Sequence, residues 1–400
     1  MVRMNDCEYN QSSLIQLSPF IHQVGGHSSM FQYDKNTICK LLAPAELDFY
    51  QSMPDSLKKF TPEFRGIVTV QYCEDESGYI KLIARPQTTS LENESVSNEQ
   101  DISLINDQQS SDNTLRKSVQ NKNLCIKFYR LRCSKDGSID YSNSLGVDIV
   151  NYEQGKTTMS TINPWSLQLC KKQAEKLHRE FIGDENGTVS QKYILLENVT
   201  ARFHNPCILD LKMGRRQYAD MDSDKKRQSK MRKCELSTSS KLGVRLCGMQ
   251  VYQLDSNRYK FTDKYRGRML TIDEFRSSLV QYFDNGRTQR FDIISDIIER
   301  LESLYTIINS LVKYRFYSGS LLIVYDGSLH SKLTDVRMID FAHTIYDTAT
   351  TTTTTTNDDL SNIHPGPDKG YLLGLESLIG YFHEILNNNE KNTTRIKTEN

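Results

Sequence analysis

Apolar and polar residues alternate through Asp210-Leu211-Lys212-Met213, directly after a short apolar run, Cys207-Ile208-Leu209. A period of two predicts a half-buried strand, with Asp210 and Lys212 on one face and Leu209, Leu211 and Met213 on the other. Gly214 then permits a turn. Similar patterns predict strands over Thr37–Leu41, Gly66–Tyr72, Leu124–Tyr129 and Tyr193–Thr200. Arg245–Tyr252 and Arg258–Tyr265 read as a strand pair around the turn-rich Leu254-Asp255-Ser256-Asn257. Ser318–Gly327 reads as a buried strand, with Val336–Phe341 as its antiparallel partner. Helical spacing is clearest from Ile293 to Val312, a long apolar stripe that implies a core helix and no chemistry. Leu167, Cys170, Ala174 and Leu177 predict a second helix reaching His178. Pro44–Tyr50, Thr271–Phe283 (opened by a Thr-x-x-Glu capping box) and Leu372–Leu386 complete the helices.

Four stretches break the pattern. Residues 86–123 are dominated by Thr, Ser, Asn, Gln, Asp and Glu and read as an inserted flexible loop. Thr348–Thr356 is low-complexity, and residues 1–16 and 387–400 read as disordered tails.

Composition adds bounds. Four hundred residues suffice for two lobes with substantial cores. Lysine plus arginine balance aspartate plus glutamate at 50 each, so electrostatic attraction must be local. No apolar run of about 18 residues predicts a membrane span, and the N-terminus lacks a secretory core. Nine cysteines without metal-binding spacing suit a reduced, cytoplasmic or nuclear protein.

Candidate chemistry gathers at a few places. Asp224 to Lys233 carries six basic residues in ten, and as a helix it puts Lys226, Lys230 and Lys233 on one face. Val24-Gly25-Gly26-His27 can lay backbone N–H groups over phosphates, and Lys40 follows at the end of the next strand. Asp340 interrupts the apolar Met338-Ile339-Asp340-Phe341, where a carboxylate needs a partner or a metal. Each feature has a plainer reading: an ordinary hairpin, a surface Asp210–Lys212 pair, a solvated basic face. No His-Arg-Asp catalytic loop is present and the phosphate cradle is not Walker A, which argues against a protein kinase.

Together these residues resemble a known family. Pro206-x-x-x-Asp210-x-Lys212-x-Gly214 looks like the signature of the inositol polyphosphate kinases. Leu242–Tyr252, His22–His27 and Val336–Thr344 resemble the inositol hexakisphosphate kinases in particular, and the similarity covers most of 17–84 and 124–385. The resemblance implies a two-lobed, kinase-like α+β fold (protein-kinase or ATP-grasp-like), with an antiparallel sheet in the N-lobe (17–199). The C-lobe (200–386) would be α+β and carry the substrate-binding helix. It implies ATP as phosphoryl donor, Mg2+ on Asp340, and Lys40 on the nucleotide phosphates. Adenine recognition falls at Glu197, Asn198 and Val199, and Asp210 is the ATP-side carboxylate that contacts ribose. Lys212 lies nearest the transferred phosphate, while Lys226, Arg227, Lys230, Arg232, Lys233 and His343 hold inositol hexakisphosphate. The product would be a diphosphoinositol pentakisphosphate, phosphorylated at the 5-position by family likeness. The rivals are a multikinase acting on ring hydroxyls and a non-catalytic inositol-phosphate or RNA-binding module; no specific nucleic acid is expected. One departure is Ser318-Gly319-Ser320, where the family shows consecutive serines.

Overall fold

The computed structural model describes residues 14–75, 78–86, 129–133, 139–143, 153–183, 189–219, 222–346 and 366–398. The expected insertion, most of the Leu124–Tyr129 strand, the threonine tract and residues 1–13 lie outside them. Helices mix with antiparallel sheets, an α+β fold. Two compact units interleave along the chain: Met1–Ser18 with Ile67–Asp148 and Lys171–Tyr193, and Pro19–Gly66 with Ile149–Cys170 and Ile194–Asn400.

In the first unit, Ile80–Pro86 pairs antiparallel with Ile15–Gln16 on one side and with the Val68–Glu74 stretch on the other. Tyr129–Cys133 and Ile139–Asn143 form a separate hairpin.

The second unit contains a six-stranded sheet in the order Thr334–Ile339, Ser320–Asp326, Pro206–Met213, Val244–Gln253, Arg258–Thr262, Thr158–Ser160. Pro206–Met213 is therefore an interior strand, antiparallel to both neighbours. It is buried along nearly its whole length, and only Lys212 is half-buried, so the expectation of one wet face is corrected. Leu209, Leu211 and Met213 face a large apolar cluster. That cluster takes Ile297, Leu301, Leu304 and Ile308 from the Ile294–Ser310 helix, and Leu375 and Phe382 from the last helix. Ile208, on the opposite face, packs with Val24, Val199, Phe203 and Val324. The polar face of this strand is thus covered by chain rather than water.

Three boundaries differ from the sequence pattern. Arg258–Thr262 ends early because the Asp263 side chain accepts N–H bonds from Tyr265 (3.0 Å) and Arg266 (2.9 Å), capping a Lys264–Met269 helix. The helix expected to reach His178 runs over Pro164–Gly183. The last helix continues over Lys369–Thr398, past Leu386, since extending an existing helix costs far less than starting one. Thr271 and Glu274 do form the capping box.

Asp326 fixes one end of the sheet. Its carboxylate accepts the backbone N–H groups of His204 (2.7 Å), Asn205 (3.2 Å) and Ser328 (3.0 Å). Those bonds outweigh burial and hold its pKa below the usual carboxylate value. Among the described residues, no helix is long and apolar enough to cross a membrane.

Candidate active site

The glycine turn lies directly on the sheet. A methyl group at Gly248, opposite Asp210 in the register, would meet the Val24 carbonyl at 2.1 Å. The turn is held in shape by Gln23, whose amide donates to Gly25 O (3.0 Å) and Ser28 O (2.8 Å) and accepts from Met30 N–H (2.9 Å). Trp165 Nε1 donates to Gly25 O (3.3 Å) and Asn163 donates to Gln23 O (2.9 Å). The turn is therefore a pinned loop, and Gly26 has the positive φ (88°) that favours glycine.

Lys40 and Asp340 meet across 300 residues of sequence. Lys40 Nζ lies 2.7 Å from Asp340 Oδ1 and 2.7 Å from Glu46 Oε1. Burial alone would favour neutral Lys40, but Asp340 and Glu46 outweigh it and its pKa is raised. Glu46, in the first turn of the Pro44–Ser52 helix, is almost wholly buried. Its Oε1 also accepts the N–H of Phe341 (3.1 Å), so one carboxylate holds both the lysine and the backbone beside Asp340. Phe341 in turn stacks on Phe49 of the same helix, with ring centroids 4.2 Å apart.

Asp340 itself is not inside a strand. It follows Thr334–Ile339 with φ 67°, a conformation aspartate tolerates better than most residues, and its side chain is 31% exposed. Burial raises its pKa, but Lys40 and then Lys212 more than offset this and bring it down to about 2.

Asp210 is fully enclosed, and its Oδ1 has no hydrogen-bond partner. Burial and then neighbouring Asp340 push its pKa up to about 6, against the pull of Lys212 and Lys40. The register with Val244–Gln253 shifts between Asp210 and Leu211, a bulge of the kind that re-aims a side chain. Lys212 Nζ lies 3.9 Å from Asp340 Oδ2 and donates to Ser318 O. Lys40, Asp210, Lys212 and Asp340 thus form one charge cluster.

The basic helix, Asp224–Glu235, borders this cluster on one side. Lys230 Nζ is 2.7 Å from Asp222 Oδ2 and 3.4 Å from His343 Nε2. Burial and then Lys230 lower the pKa of His343, with Lys212 and Lys226 adding to the effect. Lys233 is lowered by burial, Arg268, Arg245 and Lys230. Arg227 stacks over Tyr218, 5.5 Å from its centroid. Arg232 is exposed and lies about 200° round the helix from Lys230, away from the others.

Sequence reasoning missed several neighbours. Lys264 Nζ donates to Gly26 O (3.0 Å), lies 3.1 Å from His27 Nδ1, and sits over the Trp165 ring at 4.7 Å. His27 is brought down to about 4 by burial, Lys264, Lys212 and Lys233, so it is neutral at pH 7. Arg245 is buried among cations and its pKa is lowered, chiefly by burial. Lys264 and Arg245 extend the positive charge onto two further elements, the Lys264–Met269 helix and the Val244–Gln253 strand.

Glu197, Asn198 and Val199 end the Ser190–Glu197 strand and enter the turn after it. The N–H groups of Glu197 and Asn198 are taken by Glu63 O (2.8 Å) and Asn36 O (2.7 Å). The Glu197 carboxylate lies 3.4 Å from Arg337, and Asn198 Oδ1 accepts from Thr200.

A family model described as inositol polyphosphate kinase matches residues 193–383. The chain is 37% identical to inositol hexakisphosphate kinase 1 of Rattus norvegicus, over 94% of this chain and 95% of that one. Inositol hexakisphosphate kinase 3 of Mus musculus is 38% identical, with 93% and 95% covered. Among solved structures, the inositol phosphate multikinase Ipk2 of S. cerevisiae, in complex with ADP and Mn2+, overlaps 57% of this chain and 99% of its own at 22% identity and a TM-score of 0.41. With near-complete coverage of curated relatives well above 30% identity, the chain belongs to the inositol hexakisphosphate kinases, within the inositol polyphosphate kinase family.

Proposed function

We propose that the chain transfers the γ-phosphoryl group of ATP to a phosphate of inositol hexakisphosphate, giving a diphosphoinositol pentakisphosphate. The observation that carries this reading is the single cluster of Lys40, Asp210, Lys212 and Asp340 beside a cationic helix. A pure anion-binding module has no use for two carboxylates in the middle of its positive surface.

Lys40, fixed by Glu46 as the paired lysine and glutamate of protein kinases are, neutralises the nucleotide phosphates. Asp210 serves the ATP side as an acceptor, and Glu197, Asn198 and Val199 border the adenine. Lys212 sits nearest the transferred phosphoryl. The substrate's other phosphates are held by Lys226, Arg227, Lys230, Lys233 and His343, with Arg232 at the margin. Residues 17–199 supply the nucleotide-phosphate side and 200–386 the acceptor side.

The donor set suits a hard divalent cation such as Mg2+: Asp340 is ionised, and the unpartnered Oδ1 of Asp210 stands near it. Asp340 would hold that ion, which supplies further neutralisation of phosphate charge. Because the acceptor is a phosphate already ionised near pH 7, no strong general base is required. Fixed positive charge around the transferred group does most of the work. A cytoplasmic or nuclear setting goes with this reading.

The test is incubation with Mg-ATP and inositol hexakisphosphate, resolving products by charge. A diphosphate-bearing product is expected, and Lys212→Ala should reduce turnover on the order of 10²-fold. No product from inositol hexakisphosphate, with phosphorylation of a free ring hydroxyl in a parallel incubation with a less phosphorylated inositol, would replace this reading with the multikinase one. ATP hydrolysis and product both absent would overturn it.

A further inference from the structure

In the first unit, Tyr72, Glu74, Cys133 and His178 come together. His178 Nδ1 lies 2.7 Å from Glu74 Oε1, and the Tyr72 hydroxyl donates to the same oxygen at 2.5 Å. An ionised carboxylate only accepts, so the ring hydrogen belongs on Nδ1 and the neutral ring presents a bare Nε2. That Nε2 is 3.3 Å from Cys133 Sγ. Thiol, imidazole and carboxylate stand in the order that activates a nucleophile: attacking group, base, and the group that orients the base.

A shared metal ion fits this geometry poorly, although the three residues include suitable ligand types. Glu74 and Cys133 address opposite nitrogens of one ring, so an ion on either nitrogen leaves the other residue as an outer partner. The other cysteines give the contrast. Burial pushes Cys39 and Cys207 up to about 12 and Cys247 up to about 11, which keeps them as inert thiols. Cys133 is only partly buried and has a base at hand.

We propose that Cys133 is a covalent modification site for soft electrophiles of the α,β-unsaturated carbonyl class, with His178 moving the proton and Glu74 positioning His178. His178 Nε2 takes the thiol proton, and the sulfur forms a bond to the β-carbon. The π pair of the C=C bond shifts toward the carbonyl, and the α-carbon receives the proton back from His178. Nothing leaves, and no oxidant is involved.

The full chain is treated briefly with N-ethylmaleimide at pH 6 and pH 8, and each cysteine is quantified by peptide mass spectrometry. An ordinary thiol slows on the order of 10²-fold between those pH values, following its thiolate fraction. Cys133 should slow by only a few-fold, and at pH 6 should outpace Cys73 by about 10-fold or more. Glu74→Gln and His178→Gln should each restore the steep pH profile at Cys133 without changing that of Cys73, with thermal melting used to check the fold. A wild-type Cys133 with the steep profile overturns the proposal, whatever the variants do. So do folded variants that leave Cys133 labelling unchanged.

Discussion

Gly25 lies so close to Asp210 that a methyl group on it would come within 2.0 Å of Asp210 Oδ2. Gly25 carries no left-handed φ, so the objection to any larger residue is space alone. Gly25→Ala must push the pinned turn or the carboxylate aside. The expected result is a loss of about 1–3 kcal/mol in stability and a fall in turnover on the order of 10²-fold. Denaturant unfolding and steady-state assays read the two effects separately.

Glu46 ties Lys40 to the backbone that carries Asp340. Glu46→Gln keeps the shape but weakens both bonds, so Lys40 is left to Asp340 alone. Turnover should drop about 10- to 100-fold, since a small misplacement of a phosphate-neutralising group is costly. Stability should fall by about 1–3 kcal/mol. Unchanged kinetics in a folded Glu46→Gln protein would remove Glu46 from the site.

Asp326 gives the pH test. Its pKa is depressed in the folded chain relative to the unfolded one. The stability it contributes is therefore complete above about pH 4 and is lost as the pH falls through the lower folded value. Asp326→Asn should cost about 1–3 kcal/mol at pH 7, and the gap to wild type should narrow toward pH 3. Equal gaps at both pH values would contradict the assignment.

Lys264 joins the glycine turn to the rest of the positive surface through Gly26 O and His27. Lys264→Met retains contact with Trp165 but removes the tie. A roughly tenfold fall in kcat/KM, with little change in melting temperature, is expected from loosening of a positioned loop.

The face of the Pro206–Met213 strand was legible in the sequence, and its burial was not. Alternation placed Asp210 and Lys212 on one face of a strand, and they do share one, but not that the strand is interior and its polar face covered by the glycine turn. Burial of that kind depends on neighbours contributed from residues 24–25, 244–253 and 320–326, and no local period records it. Glu46 was within reach: an acidic residue opens a helix just after the Lys40 strand. Lys264, Arg245 and Arg268 form no run, so nothing in their spacing marks them as neighbours of Lys233 and His27. Asp263 caps the Lys264–Met269 helix, but the polar alternation after Arg258 made it read as part of a strand.

The Lys40–Asp340 contact means that the resting site is already a closed electrostatic circuit. On the proposed reading, a phosphate chain at Lys40 and a cation at Asp340 would each displace part of this internal bond, so loading would be a substitution and not a simple addition. A nucleotide arriving without a divalent ion would then take Lys40 from Asp340 and leave that carboxylate without its nearest cation.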